Sequence, residues 1–87
     1  MIKIEKGKTY LVTGGSGFLG EDLVKRILRV GAKVVTISRD EGKLIELKQE
    51  FPSIKILTGD ISDRFDLQQA IKGVDGVFHW RHLSMLV

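Results

Sequence analysis

The sequence predicts an α/β fold: a parallel four-stranded sheet in the order 3-2-1-4, carrying three helices. Three observations lead there. Short apolar runs alternate with segments whose apolar residues recur at helical spacing. A glycine-rich turn joins the first apolar run to the first helical segment, and each helical segment stops at a glycine or proline, at Gly31, Pro52 and Gly73. With right-handed crossovers, a β-α-β-α-β-α-β chain gives that strand order and places any ligand at the carboxyl ends of the strands.

The elements follow in order. Residues 1–8 alternate Ile with Lys and Glu and form a polar lead-in turning at Gly7. Thr9 to Thr13 is the first strand, its Tyr10-Leu11-Val12 run consistent with burial on both faces. The first helix runs from Phe18 to Val30 with Leu19, Leu23, Val24, Ile27, Leu28 and Val30 on its apolar side. Lys25, Arg26 and Arg29 lie toward its carboxyl end, where positive charge is favoured. Lys33 to Ser38 is the second strand, and Asp40 or Glu41 opens a second helix reaching Glu50. Ile54 to Thr58 is the third strand. Ser62 or Asp63 caps a third helix with Phe65, Leu67, Ala70 and Ile71, and Val74 to Phe78 is the fourth strand.

Composition bounds the function. Eighty-seven residues with 43% hydrophobic and 29% charged content describe one small globular domain. The net charge of +3 is spread along the sequence, which argues against nucleic-acid or membrane binding. There is no cysteine, hence no disulfide and no thiolate chemistry. No apolar run approaches membrane-spanning length and no leader pattern is present, so the expected location is cytoplasmic.

The chemistry concentrates at Gly14-Gly15-Ser16-Gly17-Phe18-Leu19-Gly20. A helix start leaves backbone N–H groups unpaired at the positive end of the helix dipole, a natural seat for phosphate. Gly14 permits the tight turn, Gly17 lets the main chain approach a pyrophosphate, and Gly20 lets helix and strand pack closely. Set between strand and helix, this turn is a dinucleotide site and the fold a partial Rossmann fold. At the end of the second strand, Arg39 offers a fork of donors to the extra phosphate of NADP and Ser38 adds a hydroxyl. NADP is therefore expected ahead of NAD. Asp60, at the end of the third strand, is placed to accept from an adenine amino group, or else to act as a turn residue; Ile61 would cover the adenine face.

With Thr13, Gly14, Gly17 and Gly20 forming T-G-x-x-G-x-x-G, the chain resembles the extended short-chain dehydrogenase/reductases. Within that group, Ser38-Arg39-Asp40-Glu41, Gly59-Asp60-Ile61-Ser62-Asp63 and Gly73-Val74-Asp75-Gly76-Val77-Phe78-His79 are similar to bacterial polysaccharide-biosynthesis proteins of the UDP-N-acetylglucosamine 4,6-dehydratase type. The resemblance covers about residues 7–79. It implies NADP held by Ser38 and Arg39, with adenine near Asp60 and Ile61. From Trp80 the pattern breaks, and a single-base frameshift would account for Trp80-Arg81-His82-Leu83-Ser84-Met85 in place of an alanine-rich loop.

The expectation is thus a truncated NAD(P)-binding domain over residues 1–87, with an aberrant tail at 80–87. The family's catalytic Tyr-x-x-x-Lys has no counterpart here: the single tyrosine, Tyr10, sits in the first strand. His79 and His82 lack a third ligand, and Asp60, Asp63 and Asp66 lack the glycine and glutamate of a calcium loop, so no metal site is expected. The alternatives are a regulatory module that holds a dinucleotide and a self-associating remnant without ligand. An open fourth strand exposing Val77 and Phe78, beside the apolar tail, predicts a homo-oligomer.

Overall fold

The computed structural model describes residues 3–13, 18–79 and 84–85. The elements are β1 (Thr9–Thr13), α1 (Phe18–Val30), β2 (Lys33–Ser38), α2 (Glu41–Glu50), β3 (Lys55–Thr58), α3 (Arg64–Ile71), β4 (Gly76–His79) and β5 (Ser84–Met85). The first four strands are parallel in the expected order 3-2-1-4, with β1 flanked by β2 and β4. Thr9 lies opposite Lys33, Tyr10 opposite Gly76, and Ser38 opposite Thr58.

Side chains alternate across the sheet, and the two faces carry separate cores. Tyr10, Val12, Val34 and Phe78 pack with Val24 and Ile27 of α1 and Leu47 of α2. Leu11, Val35, Ile37 and Val77 form the other core with Ala70 of α3. Two helices therefore cover one face and a single eight-residue helix the other. Among the described residues, buried polar side chains are paired. The Tyr10 hydroxyl accepts from the Glu5 N–H at 2.8 Å, and the Thr36 hydroxyl donates to the Val12 carbonyl at 2.8 Å. Tyr10 and Phe78 rings meet at 5.6 Å between centroids, tilted by 57°.

The helix ends obey local chemistry. Gly31, at φ +94°, closes α1: its N–H donates to the Leu28 carbonyl and that of Ala32 to the Ile27 carbonyl, a Schellman closure. The Gly7 N–H in turn donates to the Gly31 carbonyl at 3.0 Å, tying the lead-in to the base of α1. Asp40 and Asp63 cap α2 and α3 by accepting from the N–H groups of Lys43 and Asp66.

Three expectations need correction. The third strand starts at Lys55, because the Ile54 N–H is drawn into a turn to the Phe51 carbonyl. The fourth runs Gly76–His79 rather than from Val74, whose N–H closes the α3 turn onto the Ile71 carbonyl. The open fourth-strand edge is the third. Phe78 and His79 pair antiparallel with Met85 and Ser84, and Val77 and Phe78 are only 7% and 2% exposed. An unpaired strand edge takes the nearest extended segment, and here the chain's own tail supplies it.

The third helix also buries less than its composition suggests. Ala70 is 1% exposed, whereas Phe65 is 67% exposed, with Leu67 and Ile71 also outward. At about 100° per residue, Phe65 lies roughly 140° around the helix from Ala70, away from the sheet.

Candidate functional site

Because β1 to β4 run parallel, their carboxyl ends share one edge of the sheet, the edge at which α1 begins. Chain order reverses between β1 and β4, so that edge carries a crevice at the switch point. The candidate residues Gly14, Gly15, Ser16 and Gly17 lie outside the described residues, as does His82. Phe18, Leu19 and Gly20 form the first turn of α1, and Gly20 is buried, as close helix–strand packing requires.

Ser38 ends β2, half-buried, and its hydroxyl oxygen accepts from the Asp40 N–H at 3.1 Å. The hydroxyl proton stays available to a second acceptor. Arg39 follows it, its side chain 80% exposed, with Nη1 3.7 Å from Oδ2 of Asp60, whose side chain is 37% exposed. The ends of β2 and β3 are further joined by the Gly59 N–H donating to the Ser38 carbonyl at 2.9 Å. Ser38, Arg39 and Asp60 are therefore neighbours, as the sequence reading anticipates, and Ile61 lies exposed beside them.

Asp60 is organised on several sides. Its Oδ1 accepts from the Ser62 N–H at 2.9 Å and the Ser62 hydroxyl at 2.7 Å. Its own N–H donates to Oδ2 of Asp66 at 3.0 Å. The Ser62 backbone and side-chain donors hold its carboxyl below the usual carboxylate range against the opposing effect of desolvation, with a lesser contribution from the Arg39 charge. Asp63 is spent on capping α3, so these three carboxylates serve the loop; among the described residues no group of three acidic or histidine side chains converges as a metal site.

Sequence reasoning did not anticipate two contacts. The Asp66 carboxylate fills the space beside Gly59, where an added Cβ would come within 3.0 Å of it. At the crevice, the Thr13 hydroxyl lies 2.6 Å from Nδ1 of His79, across the β1–β4 pair. In the sequence Thr13 carries only the glycine fingerprint and His79 only a strand end; the parallel register opposite one another makes them partners.

The donor set fits an adenine dinucleotide: an exposed guanidinium and a half-buried hydroxyl at the end of β2, an acceptor at the end of β3, and a helix start after β1. The chain matches the 3-beta hydroxysteroid dehydrogenase/isomerase family over residues 11–87. It belongs to that family. The family belongs to the extended short-chain dehydrogenase/reductases and uses a nicotinamide dinucleotide as cofactor. Among similar proteins, an uncharacterized membrane protein of Methanocaldococcus jannaschii is 43% identical over 77 residues, 85% of this chain and 23% of that protein. Tetraketide alpha-pyrone reductase 2 of Arabidopsis thaliana is 41% identical over 76 residues, 80% of this chain and 24% of the reductase. In structure, Pen from Bacillus thuringiensis superposes with a TM-score of 0.81 at 30% identity, covering 88% of this chain and 26% of Pen. This family member thus spans about a quarter of the length of the curated relatives it matches. Among its described residues no helix is long and apolar enough to cross a membrane.

Proposed function

We propose that the chain is a dinucleotide-binding segment that holds the adenosine and pyrophosphate half of NADP and performs no turnover by itself. One observation carries this reading: Arg39, Ser38 and Asp60 lie together on the sheet edge at which α1 starts. The glycine turn from Gly14 to Gly20 receives the pyrophosphate on its backbone N–H groups. Arg39 and Ser38 take the 2′-phosphate, Asp60 accepts from the adenine amino group, and Ile61 covers the ring. When bound, the nicotinamide supplies hydride exchange with a carbonyl or hydroxyl group. The proton side of that reaction has no Tyr-x-x-x-Lys in this chain, and Tyr10 is buried with its hydroxyl engaged by Glu5.

Calorimetric titration with NADP and NAD, repeated on Arg39→Ala, tests the proposal. NADP binding weakened selectively by the substitution is the expected result. No heat with either nucleotide would overturn it in favour of a ligand-free remnant.

A parent enzyme acting on sugar nucleotides is a second reading, favoured by the Ser38-Arg39-Asp40-Glu41 and Gly59-Asp60-Ile61-Ser62-Asp63 segments. Self-association belongs to the same proposal and now rests on the outward Phe65, Leu67 and Ile71 of α3 rather than on a bare fourth strand. A monodisperse monomer in sedimentation at micromolar protein would exclude it.

A further inference from the structure

The opposite edge of the sheet carries a groove of its own, about 530 Å³ in volume, at the amino ends of β1, β2 and β3. Three lysines line it: Lys33 from the start of β2, Lys55 from the start of β3, and Lys72 from the residue that ends α3. Their convergence follows from the pleat. Lys33 stands two residues before Val35, and Lys55 lies directly opposite Val35, so these two lysines lie on the same face of the sheet as Val35, the face covered by α3. That helix is short, and Lys72 hangs from its end above the same face. Lysines separated along the sequence are thereby brought to the rim of one depression at the amino ends of the strands, which also takes in Val35, Thr9 and Ser53 and, from the α1 side, Leu28, Gly31, Ala32 and Val34.

Among the described residues no acidic side chain lines this groove. Asp75 lies near but is engaged: its Oδ2 accepts from the Thr9 N–H at 2.9 Å and its own N–H donates to the Thr9 carbonyl at 2.7 Å. Among the described residues the three ammonium groups have no ion-pair partner; Arg39–Asp60 alone forms one. Helix-end electrostatics account for Lys72 but not for Lys33 or Lys55, which lie on strands. Three like charges facing one depression repel each other and raise its affinity for a multiply charged anion. Lysine acts as a point charge without arginine's planar fork, which suits phosphate over a single carboxylate. A carboxylate would also leave two of the three charges unmatched.

We infer that this groove is a second anion site, distinct from the dinucleotide edge, which takes a small soluble ligand bearing two or three linked phosphates. Its concave shape admits a short phosphate chain, whereas a bilayer surface would meet only its rim.

The probe is inorganic tripolyphosphate, added to the whole chain at about 0.15 M ionic strength, where exposed charges are screened beyond roughly 8 Å. Amide chemical shifts locate the binding. The expected result is perturbation of residues around Thr9, Lys33, Lys55 and Lys72. Lys33→Gln, Lys55→Gln and Lys72→Gln should each weaken it about tenfold, the loss of one charge-assisted contact, while Arg39→Ala leaves it unchanged. All three lysines are exposed, so thermal melts of the variants should match the parent. Shifts confined to residues 14–20 and 38–39 would overturn the proposal by assigning the anion to the dinucleotide edge. Unchanged affinity in the lysine variants, or sedimentation with anionic lipid vesicles without a tripolyphosphate response, would overturn it as well.

Discussion

The Thr13 hydroxyl and Nδ1 of His79 meet at 2.6 Å, joining two strand ends that lie 66 residues apart in sequence. This contact spans the β1–β4 crevice, and Thr13 directly precedes the glycine turn. The side chain of Thr13 is buried, so its hydroxyl depends on protein partners. It donates or accepts according to the imidazole tautomer. Thr13→Val keeps the shape and removes the bond. We expect a loss of about 1–2 kcal/mol in urea unfolding, and weaker NADP binding because the turn loses its anchor. Unchanged values for both would show the contact to be incidental.

In the proposed site Arg39 is shared between Asp60 and the 2′-phosphate of NADP. The pair is solvent-exposed at 3.7 Å and therefore weak and screened. Asp60→Asn keeps an acceptor for adenine and removes the competing charge. The NADP-to-NAD affinity ratio should then rise about two- to fivefold, measured by competitive titration. A ratio that stays fixed would mean that Arg39 does not face the phosphate.

The acid limb of stability should carry the signature of Asp60. Its carboxyl is held below the usual carboxylate range in the folded chain, mainly because the Ser62 donors favour the charged form. A depressed folded-state value means that the contribution is complete above the ordinary carboxylate value. It is lost as pH falls through the lower folded value. Thermal melts from neutral pH downward should fall less steeply below pH 3.8 for Asp60→Asn than for the parent. Parallel curves would remove Asp60 from the acid response.

Gly59→Ala tests the packing behind the site. The new methyl would sit 3.0 Å from the Asp66 carboxylate and 3.2 Å from its Cβ, which is fixed by α3. The carboxylate must yield, releasing the Asp60 N–H that it accepts at 3.0 Å. We expect a loss of about 1 kcal/mol in urea unfolding, together with faster amide exchange at Asp60. Protection at Asp60 equal to the parent would show that the loop absorbs the methyl.

Much of this architecture is local and so was legible in the chain. β1, α1 and β2 fall on the expected residues because apolar periodicity, Gly31 and the strand run each point the same way. Asp40 and Asp63 were readable as caps because an N-cap needs only its own first turn. The gathering of Ser38, Arg39 and Asp60 follows from parallel strand order alone. What composition could not supply was orientation across distance. Phe65 reads as part of the apolar side of α3 until the position of that helix on the sheet is known, and the fourth strand reads as an open edge until Ser84 and Met85 are seen to pair with it. Thr13 and His79, and likewise Lys33, Lys55 and Lys72, become neighbours only through the register.

The position of β1 between β2 and β4 sets an order of events as the chain is made. Its first partner is available early, with Thr9 opposite Lys33 across a single helix; its second begins at Gly76, opposite Tyr10. Loop closure over the longer interval costs more entropy, so the nearer pairing forms first. During synthesis β1, β2 and α1 can close together while one flank of β1 still lacks its partner strand. Nascent chains halted between β3 and β4 would present that flank to chaperones or to each other, and the arrival of four residues, Gly76 to His79, ends the exposure.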